Sequence, residues 1–133
     1  MSYWLLSKTF RFEASHQLPH HDGLCARLHG HSWIGKIYVL GTALKTEPPE
    51  CGMVTDFIRI KTPIQEYVDL HLDHRHLNDS LHLENPTSEE IARVIYQAMH
   101  YKIPKLAGVS IEETCTSACY YTEEDDNIWK TLL

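Results

Sequence analysis

A chain of 133 residues, 43% hydrophobic and 23% charged, is long enough for one globular domain spanning residues 1–133. Such a domain buries roughly two-thirds of its unfolded surface and needs no disulfide scaffold. Twelve Lys and Arg against eighteen Asp and Glu give a net charge of −6, which argues against a general affinity for nucleic acid or anionic membrane. The apolar runs are too short for a membrane-spanning helix, and the N-terminal residues lack a secretory pattern, so a cytoplasmic location is expected.

Residues 3–16 alternate. Phe10, Phe12, Ala14 and His16 share one parity, and Thr9, Arg11, Glu13 and Ser15 share the other, which predicts a half-buried strand. A second strand is predicted over residues 31–41. Trp33, Ile37 and Val39 lie on one face and Ile34, Tyr38 and Leu40 on the other, so both faces are expected to be covered. Glu47-Pro48-Pro49-Glu50 reads as a loop. Asp56 is placed to cap a helix from Phe57 towards Leu70, with Pro63 expected to kink it or to mark its first turn.

A stronger helix signal follows. Thr87-Ser88-Glu89-Glu90 forms a capping box, and Ile91, Val94, Ile95, Ala98 and Met99 make an apolar stripe ending near His100. Beyond Pro104, Val109 and Ile111 alternate with Ser110 and Glu112, and a further strand is expected near residues 118–122. The acidic tail from Glu123 ends in Ile-Trp-Lys-Thr-Leu-Leu and carries no readable role. The order β-β-α-α-β-β, with its helices in the middle, predicts an α+β fold with an antiparallel sheet.

The chemistry is concentrated in histidine. Nine of the ten His fall within residues 16–31 and 71–82. In Cys25-Ala-Arg-Leu-His29-Gly-His31 the two histidines have the same strand parity, and His16 ends the first strand on its Phe face. If the two strands pair, three imidazoles converge, which is the donor set of a catalytic zinc site with an open fourth position. The alternative is a loop where histidines merely cluster. Cys25 is open to three readings: a fourth ligand closing a structural site, a reactive thiolate, or a small apolar filler. Asp73-His74, at a helix end, is either an acid–base pair or a solvated terminus. Glu113 either accepts N–H donors from a heterocycle or lies exposed on a strand. Cys115 and Cys119 read as structural thiols rather than a metal pair, and the absence of Cys-x-x-Cys excludes a zinc ribbon or thioredoxin motif.

Taken together, Phe12-Glu-Ala-Ser-His16, Cys25-x-x-x-His29-Gly-His31, Gly52-Met-Val-Thr-Asp56-Phe57, Leu72-Asp73-His74-x-x-Leu77-Asn78, Asn85-Pro86-Thr87-Ser88-Glu89 and Glu113-Thr114 resemble the 6-pyruvoyl tetrahydropterin synthase superfamily. The resemblance spans residues 8–121. The short gap between Cys25 and His29 and the string Glu113-Thr-Cys-Thr-Ser-Ala-Cys119 are similar to its 6-carboxy-5,6,7,8-tetrahydropterin synthase branch, of queuosine precursor biosynthesis.

This resemblance implies a tunnelling fold whose sheets close into a barrel in a homo-oligomer, a trimer or a pair of stacked trimers, with active sites between subunits. It implies Zn2+ held by His16, His29 and His31, and Cys25 as the catalytic thiol. Asp73 and His74 would be acid–base partners from a neighbouring subunit. Glu113 would anchor the pterin ring, and residues 85–88, with Thr87 and Ser88 foremost, would line the pocket. The implied substrate is 7,8-dihydroneopterin triphosphate. Three rivals stand beside this reading: a pyruvoyl-forming synthase, a non-enzymatic zinc protein closed by Cys25, and a zinc hydrolase.

Overall fold

The parity of residues 10–16 decides which side of the molecule is inside. In the computed structural model, which describes residues 2–124, β1 (Trp4–His16) turns Phe10, Phe12, Ala14 and His16 into the interior. It pairs antiparallel with β2 (His29–Gly41) along its whole length. The acidic tail from Asp125 onward lies outside the described residues. β2 begins two residues earlier than its apolar pattern suggests, because His29 and Gly30 still pair with His16 and Ser15. Gly35 lies opposite Phe10, and a Cβ there would run into the Phe10 ring. The absence of a side chain lets that ring lie flat over the strand.

The chain then forms α1 (Ile58–Tyr67), which continues into one wider turn, Val68–Leu72, closed by the Asp73 N–H on the Val68 carbonyl at 2.8 Å. Pro63 sits in the middle of α1 rather than in its first turn. Asp56 does act at the helix start: its Oδ1 accepts the Ile58 N–H at 3.0 Å. Next come β3 (Arg75–His76), α2 (Leu77–Ser80) and α3 (Ser88–Met99). Thr87 caps α3 by accepting the Glu90 N–H at 3.2 Å, and Glu89 and Glu90 sit in the first turn, where the helix dipole favours negative charge. β4 (Leu106–Thr114) and β5 (Ser117–Tyr121) complete the chain.

The five strands lie in the order β3-β1-β2-β4-β5. The sheet is mixed, not antiparallel as the element order predicts: β3 runs parallel to β1, pairing Arg75 with Ala14 and His76 with Ser15. Two residues are too few to carry an alternation, so this strand has no periodic signal. The sheet is open, with β3 and β5 at its edges. The interior face packs under the helices, where Ile60, Ile64, Ile91, Ile95 and Met99 meet Trp33, Ile37, Val109 and Ile111. No helix among the described residues is long and apolar enough to cross a membrane.

Glu50 ties the loop after β2 to the start of α1. Its carboxylate accepts the Asp56 N–H at 2.8 Å and pairs with Lys45 and Arg59, each at 3.0 Å. These contacts, led by the Asp56 N–H, lower its pKa from 4.5 to about 2. A depressed carboxyl stabilises the fold above its unfolded value and loses that contribution as pH falls through the folded one. Glu50→Gln is therefore expected to lose less thermal stability than wild type between about pH 5 and pH 2. An unchanged pH slope in thermal melts would show that the cluster adds nothing to the fold.

Candidate metal centre

His16 and His29 are direct partners across β1 and β2, and His31 lies one pair further along, opposite Ala14. All three point to the interior face, as their parity requires. Their ring centroids are 4.5 Å (His16–His29), 5.2 Å (His16–His31) and 4.9 Å (His29–His31) apart. Trp33 stands edge-on to both His16 and His31 and forms the floor of the cluster. The end of β4 adds Glu113, and one ligand-type atom from each of the four residues lies within 4.8 Å of the others.

Two carbonyls fix how the rings are presented. His16 Nδ1 donates to the Pro86 carbonyl at 2.9 Å, and His29 Nδ1 donates to the Arg27 carbonyl at 2.7 Å. A carbonyl can only accept, so each Nδ1 carries the proton and each Nε2 presents a lone pair. This is the outer-shell arrangement that orients metal-bound histidine. His16 is fully buried, and burial lowers its pKa, which favours the neutral imidazole that ligates. The Nε2 atoms of His16 and His31 are buried without a hydrogen-bond partner. Buried polar atoms of this kind are costly unless something completes them. The donor set and the orphaned nitrogens fit a metal ion.

Asn78 supports this geometry from behind. Its Oδ1 accepts the Gln17 N–H at 3.0 Å, and its Nδ2 donates to the Gln17 carbonyl at 2.8 Å and the Glu84 carbonyl at 3.2 Å. One side chain thus fastens the residue after His16 to the segment that delivers Pro86. The sequence carries Asn78 in a motif but gives no hint of this clamp, because its partners are backbone atoms.

The other candidates are placed apart from the four. Cys25 sits in a single helical turn, Leu24–Ala26, half-buried, with its carbonyl accepting the Leu18 N–H at 2.8 Å. It is not part of the metal-capable group. Asp73 and His74 follow the wide turn and dock on β1: the Glu13 N–H donates to Asp73 Oδ1 at 2.8 Å, and the His74 N–H donates to the Glu13 carbonyl at 2.6 Å. His74 Nδ1 donates to Asp73 Oδ2 at 2.8 Å. The Glu13 N–H, with His74 second, pulls the Asp73 pKa down, so the carboxylate stays charged. His74 itself is 81% exposed and opens, with His31, onto a groove of about 460 Å³. The Thr87 hydroxyl is spent on the α3 cap and the Ser88 hydroxyl on Glu89, at 2.7 Å. All four cysteines are free thiols, and burial raises the Cys119 pKa, in keeping with a packing role.

The family model for 6-pyruvoyl tetrahydropterin synthase matches residues 5–124. The chain belongs to the 6-pyruvoyl tetrahydropterin synthase family. Among its relatives in that family, a 6-carboxy-5,6,7,8-tetrahydropterin synthase of Synechocystis sp. is 52% identical over 119 residues, covering 89% of this chain and 92% of that protein. A protein of the same name from Haemophilus influenzae is 28% identical and covers 89% of this chain and 98% of its own. The solved structure of Caenorhabditis elegans 6-pyruvoyl tetrahydropterin synthase has a TM-score of 0.78 at 25% identity, covering 93% and 98% of the two chains. The family fold therefore extends over the strands and helices that build the histidine cluster.

Proposed function

We propose that this chain is a zinc-dependent 6-carboxy-5,6,7,8-tetrahydropterin synthase of queuosine precursor biosynthesis, acting on 7,8-dihydroneopterin triphosphate. The observation that carries the reading is the convergence of three histidines with Glu113, where the buried Nε2 atoms of His16 and His31 have no hydrogen-bond partner. The 52% identity to the Synechocystis synthase selects the carboxy branch.

His16, His29 and His31 would hold Zn2+, which as a Lewis acid on the substrate's side-chain hydroxyls would acidify the adjacent C–H. Cys25 takes that proton as a thiolate. Asp73, held charged by the Glu13 N–H, orients His74, so His74 can return a proton at the next step. Glu113 accepts the N–H donors of the pterin ring, and residues 85–88, including Thr87 and Ser88, would line the same pocket. Triphosphate leaves, one water is taken up and the bond to the inner side-chain carbon is cut, so that this carbon stays as the carboxylate, the dihydropterin ring is reduced to the tetrahydro level and the outer two carbons depart as acetaldehyde.

Within one chain, the Asp73–His74 pair belongs to the β3 edge and does not join the group around Glu113. A neighbouring copy would bring it to the metal if the open edges β3 and β5 paired between chains, closing the sheets into a barrel. Leu24 and Leu28, which are 75% and 64% exposed on either side of Cys25, supply apolar surface for such an assembly.

The test is the product mixture from purified protein and 7,8-dihydroneopterin triphosphate. The expected result is acetaldehyde, read with a coupled alcohol dehydrogenase, in near-equal amount to a 6-carboxylated pterin seen by mass spectrometry. A product that keeps all three side-chain carbons, with no acetaldehyde, would place the chain in the pyruvoyl-forming branch. Absence of turnover would favour a non-enzymatic zinc protein.

A further inference from the structure

Glu113 stands where a pterin anchor would not be expected to rest. Its Oε1 lies 2.8 Å from His31 Nε2 and 3.4 Å from His16 Nε2. Neither contact has the geometry of a hydrogen bond. At His16 the reason is explicit: its proton is committed to the Pro86 carbonyl on the other side of the ring, so Nε2 offers a lone pair. A lone pair facing a carboxylate oxygen in a buried site is repulsive. A cation shared by the two removes the repulsion, and His29, with its own free Nε2, completes the ring of donors around that point.

We infer that Glu113 is a fourth metal ligand in the resting protein and leaves the metal to grip the pterin ring when substrate enters. The inference rests on the metal reading above and deepens it. One carboxylate has two stations, and it cannot fill both at once. A molecule with the ring N–H donors draws Glu113 away and so opens the position that the substrate's side chain needs. A molecule without those donors meets a closed, four-ligand site. Ring recognition and opening of the metal are then one event, which makes Glu113 a specificity-determining residue as well as an anchor. Its place on β4 suits the exchange: it is 29% exposed at the strand's end, next to the exposed Thr114, whereas His16 opposite is fully buried and fixed.

Cobalt(II) serves as the probe ion, because its visible absorption reports the ligands around it, and neopterin serves as the pterin. Glu113→Gln keeps the side-chain shape and removes the charge. It is expected to bind cobalt at least about tenfold more weakly than wild type. Neopterin should change the cobalt spectrum of the wild-type protein and leave that of Glu113→Gln unchanged. Equal cobalt affinity and identical spectra, with cobalt still bound, would overturn the two-station role and leave the histidine site standing. A wild-type protein that binds no cobalt would overturn the metal reading itself. Should Glu113→Gln fail to fold, the wild type decides alone. Neopterin that binds, by its own fluorescence, without changing the cobalt spectrum defeats the exchange.

Discussion

His31→Ala is expected to lose metal and turnover together. His31 links the cluster to Glu113, whose Oε1 lies 2.8 Å from its Nε2, and its ring stands 5.2 Å from His16 and 4.9 Å from His29. Alanine leaves two imidazoles and a carboxylate that were arranged around a position now short of one donor. Elemental analysis should fall from about one metal per chain to near zero. The stability readout should move in parallel, because a metal that binds only the folded chain raises its melting temperature. A chelator should therefore lower the melting temperature of wild type and leave that of His31→Ala unchanged. His20→Ala is the control. His20 belongs to the same histidine-rich stretch, but its side chain is 68% exposed and pairs with Glu84 at 3.0 Å, outside the cluster. Full metal retention in His31→Ala would remove it from the ligand set.

Parity made much of this site readable in advance. His29 and His31 are separated by one residue, and His16 continues the Phe10, Phe12, Ala14 series, so pairing of the two strands is enough to bring the three rings together. The same rule reaches Glu113, which shares the parity of Val109 and Ile111. What parity does not give is the stagger between β2 and β4, in which Ile34 meets Glu112 and Glu113 arrives at the histidines. That register depends on contacts between residues nearly eighty positions apart, and nothing local encodes it. The Thr87 cap was legible because a cap uses side chains at fixed offsets. The Pro86 and Arg27 carbonyls and the Asn78 clamp were not, because backbone atoms leave no mark in a sequence. The Val68–Leu72 turn and the two-residue β3 were hidden for a different reason. Each is too short to repeat the pattern that would announce it, yet together they carry Asp73 and His74 back to β1.

Cys25→Ala is expected to keep the metal and lose roughly 10²-fold or more in turnover, the scale of a missing, well-placed base. The substitution is well defined structurally. The loop is held by the Cys25 carbonyl on the Leu18 N–H, which alanine retains, and the side chain is only half-buried, so its removal leaves no large cavity. The metal prediction follows from membership: His16, His29, His31 and Glu113 form the group, and Cys25 stands outside it. A site closed by Cys25 as a structural ligand would behave in the opposite way, with metal lost and the fold weakened. A zinc hydrolase working without the thiol would keep both metal and turnover. Cys25→Ser separates a base from a mere filler, because a hydroxyl fits the same space but does not ionise near neutral pH. Serine is expected to restore packing and to leave turnover as low as alanine does. Recovery of wild-type turnover in Cys25→Ser would end the role of the thiol as the base, and loss of metal in either variant would return Cys25 to the ligand set.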